Sequence, residues 1–267
     1  MRNREESNTS NTSINSSDLS KSGSNTIYGD ISSRNIVRLD GRESNEQRLT
    51  VQEATADSIL LRKFISCGAS PIYSSAIIVF CAVEIKEPPV EKGRQGILAI
   101  NCSDRRIQME IDRIFNRSKI LPLDRLAVIP NLAVISIRID IVIANDKGGV
   151  LEMATEGIYQ TLHRIKVLEE IENRREKIVV QKEIKELMTF HPRTVTCAMQ
   201  EECAVYDPTD EELSEAAGHM VVTHSLRTGI DTQSMMNSGG NIIYWTFSGI
   251  AKYELLKDTV KTILAAN

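Results

Sequence analysis

The densest group of carboxylates in the chain lies at residues 207–212, where the sequence reads Asp-Pro-Thr-Asp-Glu-Glu. Carboxylates this close together can hold a divalent cation and support metal-assisted hydrolysis. The same residue types form tight turns and helix N-caps. The pattern favours a turn at the solvated edge of a strand or helix over a metal site. We therefore predict neither a bound metal nor a cofactor.

Two groups of basic residues are candidates for contact with a polyanion. The first group consists of four arginines on one predicted helix: Arg105, Arg106, Arg113 and Arg117. The second group, within residues 166–185, alternates with glutamates, which is typical of an ion-paired surface. The net charge is -4, which excludes a general attraction to nucleic acid. The four arginines are therefore the better candidates for local phosphate contacts with RNA.

The histidines and cysteines lack the spacing of a catalytic or metal-binding site. His219 and His224 are five residues apart, which in a strand places them on opposite faces. The five cysteines form no Cys-x-x-Cys pair, and their spacing favours reduced, mostly buried thiols. The sequence also contains no P-loop, dinucleotide fingerprint or nucleophile elbow. The motifs thus identify no catalytic residue.

The composition divides the chain into a tail and one folded domain. Residues 1–33 are rich in Ser and Asn and poor in apolar residues, so we predict a disordered tail. Residues 34–267 are predicted to form the domain, with a charged insertion at about 169–186 that is either a solvated helix or an added segment. No apolar run approaches the roughly 20 residues that cross a bilayer. We expect an intracellular protein that does not bind membranes.

Hydrophobic periodicity predicts the order of the elements. Short strands are predicted at 48–54, 58–65, 76–83, 96–100, 135–143, 194–205 and 218–226. The apolar run at 76–83 is typical of a strand covered on both faces, and the isoleucines of 135–143 alternate with polar residues.

Three amphipathic helices are predicted between and after these strands. The first is capped by Ser103, the second follows a turn at 145–149 and extends to Leu168, and the third begins near Gly249. The strands occur in groups and do not alternate strictly with helices. This order predicts an α+β fold with mixed sheets and excludes a Rossmann or barrel fold.

Two short motifs, far apart in the chain, resemble motifs of the RNase PH family. The first is Leu39-Asp40-Gly41-Arg42 with Arg48 shortly after it, and the second is Asp207-Pro208-Thr209 with its acidic tail. The resemblance runs from about Arg34 to Asn267 and rests on the order and spacing of several short motifs. It implies an RNase PH-like (ribosomal protein S5 domain 2-like) fold of mixed sheets with packed helices.

Within that family, the chain looks most like the non-catalytic ring subunits of the RNA exosome. Phosphorolytic members carry Gly-Ser-Arg or a similar sequence before the central helix, where this chain has Gly149-Val150-Leu151. They also place an Asp shortly after their acidic segment, whereas residues 215–220 contain no Asp and Glu215 is their only acid. The resemblance therefore implies a structural, catalytically inactive subunit of the hexameric ring that processes and degrades RNA in the 3′→5′ direction.

The resemblance also implies partners and a location. The partners would be other RNase PH-like subunits in a hetero-oligomeric ring, S1/KH-type cap subunits and RNA. The location would be the nucleus, nucleolus and cytoplasm, with a role in rRNA processing. Two alternatives remain open from the sequence: an active phosphate-dependent 3′→5′ exoribonuclease, and an RNA-binding module outside any ring.

Overall fold

The computed structural model describes residues 38, 42, 47–55, 57–67, 70–89, 91, 93–173, 176–226 and 241–265. The predicted tail at 1–33 lies outside these residues, as do Leu39, Asp40 and Gly41 of the first family motif. No helix of the described residues is long and apolar enough to cross a membrane.

The first sheet is mixed and has six strands in the order β1-β2-β3-β6-β4, with β5 paired to β6. The strands are β1 (Leu49–Ala54), β2 (Ser58–Cys67), β3 (Ser70–Lys86), β4 (Ile97–Cys102), β5 (Ala127–Ile129) and β6 (Ala133–Asn145). Only β4 runs parallel to its neighbour β6, and the other pairs are antiparallel. A 3-10 turn at Leu123–Leu126 leads into β5.

The second sheet is antiparallel and has four strands in the order β10-β9-β11-β12. These strands are β9 (His191–Met199), β10 (Ala204–Tyr206), β11 (Gly218–Leu226) and β12 (Ile242–Gly249). A separate hairpin pairs β7 (Lys166–Asn173) with β8 (Glu176–Glu183). The helices are α1 (Arg105–Ser118), α2 (Val150–Arg164), the short α3 (Asp210–Glu215) and α4 (Tyr253–Ala265).

The central helix α2 lies between the two sheets. It packs against β2 and β3 of the first sheet and against β9 of the second. Its approach to the first sheet requires a glycine, because a Cβ on Gly157 would lie 2.8 Å from Leu61 and 2.8 Å from Val79. The far face of the second sheet is covered by α4, whose Ile263 is completely buried in one apolar cluster with Val195. Grouped strands in mixed sheets confirm the predicted α+β class.

The isoleucine strand β6 confirms the alternation predicted from sequence. Ile137, Ile139 and Ile141 face the helices and are at most 2% exposed. Arg138 and Val142 lie on the opposite face and are exposed to solvent. Because side chains alternate along a strand, one face of β6 forms the centre of the core and the other forms the surface.

The charged segment at about 169–186 lies largely in the β-hairpin of β7 and β8, so the predicted solvated helix is wrong. The second predicted helix also ends at Arg164 and does not reach Leu168, which is 71% exposed in β7. Val167 and Ile171 in β7, four residues apart, share one face of the hairpin with Ile178 and Val180 in β8, two residues apart, and Val167 and Val180 are buried. These even spacings follow the strand period of two, which the dense charges of the segment obscured.

Three smaller predictions also differ from the structure. Asp104 caps α1 in place of Ser103, since the Asp104 carboxylate accepts the backbone N–H groups of Arg106 and Ile107. Strand β3 is covered on one face only by the described residues, and its Phe80 is 43% exposed. Strand β12 was not predicted.

Truncation of the core face of β6 should destabilise the protein far more than truncation of its outer face. We expect Ile139→Ala to lower the free energy of unfolding by about 2–5 kcal/mol, because it leaves a cavity in the core. Val142→Ala, three residues away on the exposed face, is the control and should cost about 1 kcal/mol or less. Urea denaturation measures both values, and equal losses would contradict the assignment of faces.

Candidate functional site

Charged side chains from distant parts of the sequence meet at the N-terminus of α2. We call this group the ion cluster, and its members are Arg38, Arg42, Arg48, Lys63, Glu152, Asp207 and Glu212. Each of these side chains is at most 10% exposed. Burial of an isolated charge costs several kcal/mol, so the cluster depends on close pairing of opposite charges.

Asp207 is the centre of the ion cluster and is completely buried. Its Oδ2 accepts the backbone N–H of Arg48 at 2.8 Å, and its Oδ1 accepts Nη2 of Arg48 at 2.7 Å and Nζ of Lys63 at 2.9 Å. Burial by itself would raise the pKa of Asp207. The charges and hydrogen bonds of Lys63 and Arg48 outweigh burial and hold this pKa well below its ordinary value.

The backbone at Asp207 is in the left-handed region, with φ of 49°. Few residues other than glycine adopt this conformation, although Asp tolerates it better than most. The Asp207 N–H donates to the carbonyl of Thr196 at 3.0 Å. The turn therefore aims the carboxylate inward while the main chain stays bonded to β9.

A second carboxylate, Glu212, joins α3 to the beginning of the described chain. Nε of Arg38 donates to Oε1 of Glu212 at 2.7 Å, and Nη2 of Arg38 contacts the other carboxylate oxygen. Glu212 also completes a capping box, in which its Oε2 accepts the N–H of Thr209 at 2.8 Å and the Thr209 hydroxyl accepts the N–H of Glu212.

The ion cluster corrects the prediction of a solvated edge at 207–212. The turn and cap chemistry was predicted correctly, but Asp207, Pro208, Thr209 and Glu212 are all buried. No group of three or more His, Cys, Asp or Glu residues within the described ranges is placed to hold a metal ion. The Asp207 oxygens are instead occupied by N–H donors of the protein itself.

The two family motifs meet in the ion cluster. Nη1 of Arg42 lies 3.7 Å from Oδ2 of Asp207, and Nη2 of Arg42 donates to the Asp207 carbonyl at 3.3 Å. These residues are 165 positions apart in sequence. The structure thus brings Arg42 of the first motif against Asp207 of the second, as parts of one structural contact.

The ion cluster covers the start of α2, where the resemblance to the RNase PH family implies the phosphate-binding turn of active members. Gly149 caps the helix with φ of 72° and has no side chain with which to bind a ligand. A Cβ added there would lie 2.8 Å from Nη2 of Arg48, 2.9 Å from Oδ1 of Asp207 and 3.0 Å from Nζ of Lys63. The space beside the helix start is therefore filled by the protein.

Carboxylates of the protein supply the negative charge that a helix N-terminus attracts. Glu152 lies in the first turn of α2, contacts Nζ of Lys63 and accepts the backbone N–H of Thr196. Val150 and Leu151 are at most 8% exposed and belong to the core. This arrangement stabilises the fold and leaves little room for an external anion.

The cluster includes residues that the sequence analysis missed. Lys63 and Glu152 carried no motif and were not predicted to be functional. Lys63 did carry a weak signal, because it falls on the buried face of β2 in register with Ile59 and Leu61. A lysine at a core position of an alternating strand requires a buried partner.

The four arginines predicted to bind RNA are exposed on α1. Arg106, Arg113 and Arg117 form one stripe, because positions seven and four residues apart share a helix face. Arg105 lies about 100° around the helix axis from Arg106. Nη1 of Arg113 donates to Glu110 at 3.2 Å, and the Tyr244 hydroxyl contacts the same carboxylate. This arginine stripe is separate from the ion cluster.

The histidines also occupy distinct environments. His219 is exposed and His224 is fully buried, which agrees with their predicted opposite faces. Neither ring nitrogen of His224 has a hydrogen-bond partner among the described residues. Burial and the nearby charges of Arg193 and His191 lower the pKa of His224 to about 4, so this ring is neutral at pH 7.

Replacement of the central carboxylate should destabilise the protein. Asp207→Asn leaves Arg48 and Lys63 buried without their charge partner, and we expect a loss of about 3–5 kcal/mol in the free energy of unfolding. Asp210→Asn is the matched control, because Asp210 pairs with Lys147 in a half-exposed contact and should cost less than about 1 kcal/mol. Chemical denaturation at pH 7 measures both values.

The same variant tests the lowered pKa of Asp207. A lowered carboxyl pKa stabilises the folded state above the ordinary pKa of about 4, and this stabilisation is lost as the pH falls below about 4. The decline in stability on acidification should therefore be smaller in Asp207→Asn than in the natural sequence. An unchanged pH dependence would show that Asp207 does not control it.

Comparisons with known proteins place the fold. No family model and no curated protein matches the chain. An archaeal exosome core structure is 18% identical with a TM-score of 0.63, and covers 86% of this chain and 87% of that one. An Archaeoglobus fulgidus exosome structure with RNA bound to the active site is 17% identical with a TM-score of 0.60, covering 84% and 87%. Rice (Oryza sativa) Rrp46 is 12% identical with a TM-score of 0.56, covering 86% and 93%. This chain therefore has the RNase PH-like α+β fold of exosome core subunits.

Proposed function

We propose that this chain is a structural subunit of an RNA exosome ring and that it lacks phosphorolytic activity of its own. The shared fold supports membership of a ring. One observation carries the proposed inactivity: buried ion pairs of the protein occupy the start of α2, where phosphorolytic members of the family hold phosphate.

Phosphorolysis requires a bound phosphate and a group that transfers a proton. The turn Gly149-Val150-Leu151 supplies neither a hydroxyl nor a guanidinium group. A phosphate beside this turn would also have to compete with the Asp207 carboxylate, which already pairs with Arg48 and Lys63. Asp207 is a poor proton donor near neutral pH, because its pKa is held far below the ordinary range.

Exposed apolar side chains support a role in assembly. Phe80 and Val142 are each 43% exposed on the outer face of the first sheet. Trp245 on the edge strand β12 is 58% exposed, and Ile250 and Tyr253 just after it are 81% and 73% exposed. Such residues are typical of surfaces that a neighbouring subunit covers. The isolated chain should accordingly be poorly soluble.

The proposal extends to partners and location. The neighbours in the ring are other RNase PH-like subunits, with S1/KH-type cap subunits and RNA completing the assembly. The complex would process rRNA and degrade RNA from the 3′ end in the nucleus, nucleolus and cytoplasm. Within this assembly, the arginine stripe of α1 is the surface of this subunit best suited to RNA phosphates.

The activity of the reconstituted complex tests the proposed inactivity. We expect the isolated chain to release no nucleoside diphosphates from RNA and phosphate. The double variant Glu215→Ala/His219→Ala removes the exposed polar groups of the stretch where active members place an Asp. It should leave nucleoside diphosphate release by the complex unchanged, as should Glu211→Ala, an exposed control on α3.

Different results would contradict the proposed inactivity and the proposed ring membership. Loss of nucleoside diphosphate release on changing residues 215 and 219 alone would identify an active phosphorolytic subunit. A stable, monodisperse monomer at micromolar concentration, or a particle near monomer mass from the native source, would favour an RNA-binding module outside any ring. Analytical sizing measures both particles.

The arginine stripe has its own test. The triple variant Arg106→Gln/Arg113→Gln/Arg117→Gln should weaken RNA binding by the reconstituted complex. For single-stranded RNA, the slope of log affinity against log salt should decrease in magnitude by about 0.7 for each phosphate that an arginine no longer neutralises. Lys261→Gln on the exposed side of α4 is the control and should leave the slope unchanged. An unaltered slope in the triple variant would exclude the stripe from RNA binding.

A further inference from the structure

A cavity of about 430 Å³ opens at the C-terminal end of α2, away from the ion cluster at its N-terminus. Its walls come from the start of β2, the middle of β3 and the segment that joins α2 to β7. The volume falls within the roughly 300–1,000 Å³ typical of small-molecule sites. Ile59, Val83 and Ile165 provide an apolar lining.

Two opposite charges share this cavity without neutralising each other. Asp57 and Arg164 both line it, and neither forms an ion pair with another residue in the described part of the chain. A third charged residue of the lining, Lys166, is already paired with Glu183 at 2.9 Å. The cavity therefore presents one negative and one positive group that remain available to a ligand.

One residue of the lining carries a hydroxyl that is itself buried. Thr161 lines the cavity and is 6% exposed, and its Oγ1 has no hydrogen-bond partner within the described ranges. A threonine hydroxyl inside a helix commonly bonds to the carbonyl four residues earlier, as Thr155 does to Leu151. Thr161 does not form this bond, and because its Oγ1 is almost inaccessible, the hydroxyl is not a contact for a ligand in the cavity.

The thiol on the cavity wall adds no charge. Burial, with a smaller effect from the Asp57 carboxylate, raises the pKa of Cys81 to about 11. The thiol is therefore protonated at neutral pH. The polar character of the site thus comes from one carboxylate, one guanidinium and hydroxyl groups.

We propose that this cavity binds a small zwitterionic peptide, with its ammonium group at Asp57, its carboxylate at Arg164 and its apolar side chains against Ile59, Val83 and Ile165. A simple anion would be repelled by Asp57, and a simple cation would be repelled by Arg164. A free amino acid would leave much of the volume empty. A mononucleotide would bring about two negative charges to a single unpaired guanidinium. The proposal is independent of ring membership.

The ligand side of the proposal is tested with leucylleucine and its two singly charged derivatives. We expect calorimetry on the full chain, or on its reconstituted complex, to detect binding of leucylleucine. N-acetyl-leucylleucine and leucylleucine amide should each bind about tenfold to a hundredfold more weakly, which is the loss of one hydrogen bond to a charged group. Adenosine monophosphate should bind more weakly than the dipeptide.

Variants of the protein test which residue binds each charged group of the dipeptide. Asp57→Asn should weaken leucylleucine binding but not binding of the N-acetyl form, which has no ammonium group. Arg164→Gln should weaken leucylleucine binding but not binding of the amide, which has no carboxylate. Arg94→Gln changes an exposed arginine that does not line the cavity and should change nothing. Thermal melts establish that the variants are folded.

Several results would overturn the proposal. They are the absence of dipeptide binding, equal affinity for all three dipeptide forms, or equal affinity of the natural protein and both cavity variants. Tighter binding of adenosine monophosphate that is lost in Arg164→Gln would identify a nucleotide site instead. If a variant fails to fold, the relative affinities of the three dipeptide forms for the unaltered protein still test the proposal. Sizing of the complex tests ring membership separately, so a failure of peptide binding can be told apart from a failure of the ring proposal.

Discussion

The buried carboxylate of Asp207 connects parts of the chain that are otherwise far apart. It is bonded to the side chain and main chain of Arg48 just before β1 and to Lys63 in β2, and Arg42 lies beside it. These partners are 144 to 165 residues away in sequence. The contact therefore forms only when both sheets are docked on α2. A charge in this position is stable only while its partners are in place, which makes the cluster a condition for the whole fold.

The central helix α2 connects this stabilising contact to the proposed function. At its N-terminus, the protein supplies its own carboxylates, and the atoms around Gly149 leave no side-chain space beside the turn. Under the proposed function, these internal ion pairs take the place of the anion site that phosphorolysis requires. At the other end of the same helix, Thr161 and Arg164 border an open cavity with unpaired charges. At the N-terminus of α2 the charges are paired within the protein. At its C-terminus the charges remain available to a ligand.

Regular patterns made part of the fold predictable from sequence. The alternating isoleucines of β6 and the apolar stripe of α1 follow from the strand and helix periods, which need no distant contact. The cap at Thr209 also follows from local chemistry. Prediction failed where local signals were mixed. The hairpin over 166–183 carries so many charges that the apolar face formed by Val167, Ile171, Ile178 and Val180 was missed, and α2 was extended into the first residues of its first strand.

The sequence by itself determined the α+β class, the positions of most strands and helices, and the turn and cap at 207–212, because each depends on neighbouring residues. Only the tertiary structure decided that Asp207 and Glu212 are buried, and that Lys63 and Glu152 join them at the start of α2. The same holds for the cavity at the far end of the helix. Lys63, for example, meets Glu152 and Asp207 across 89 and 144 positions of sequence, and no local pattern encodes which charge will meet which.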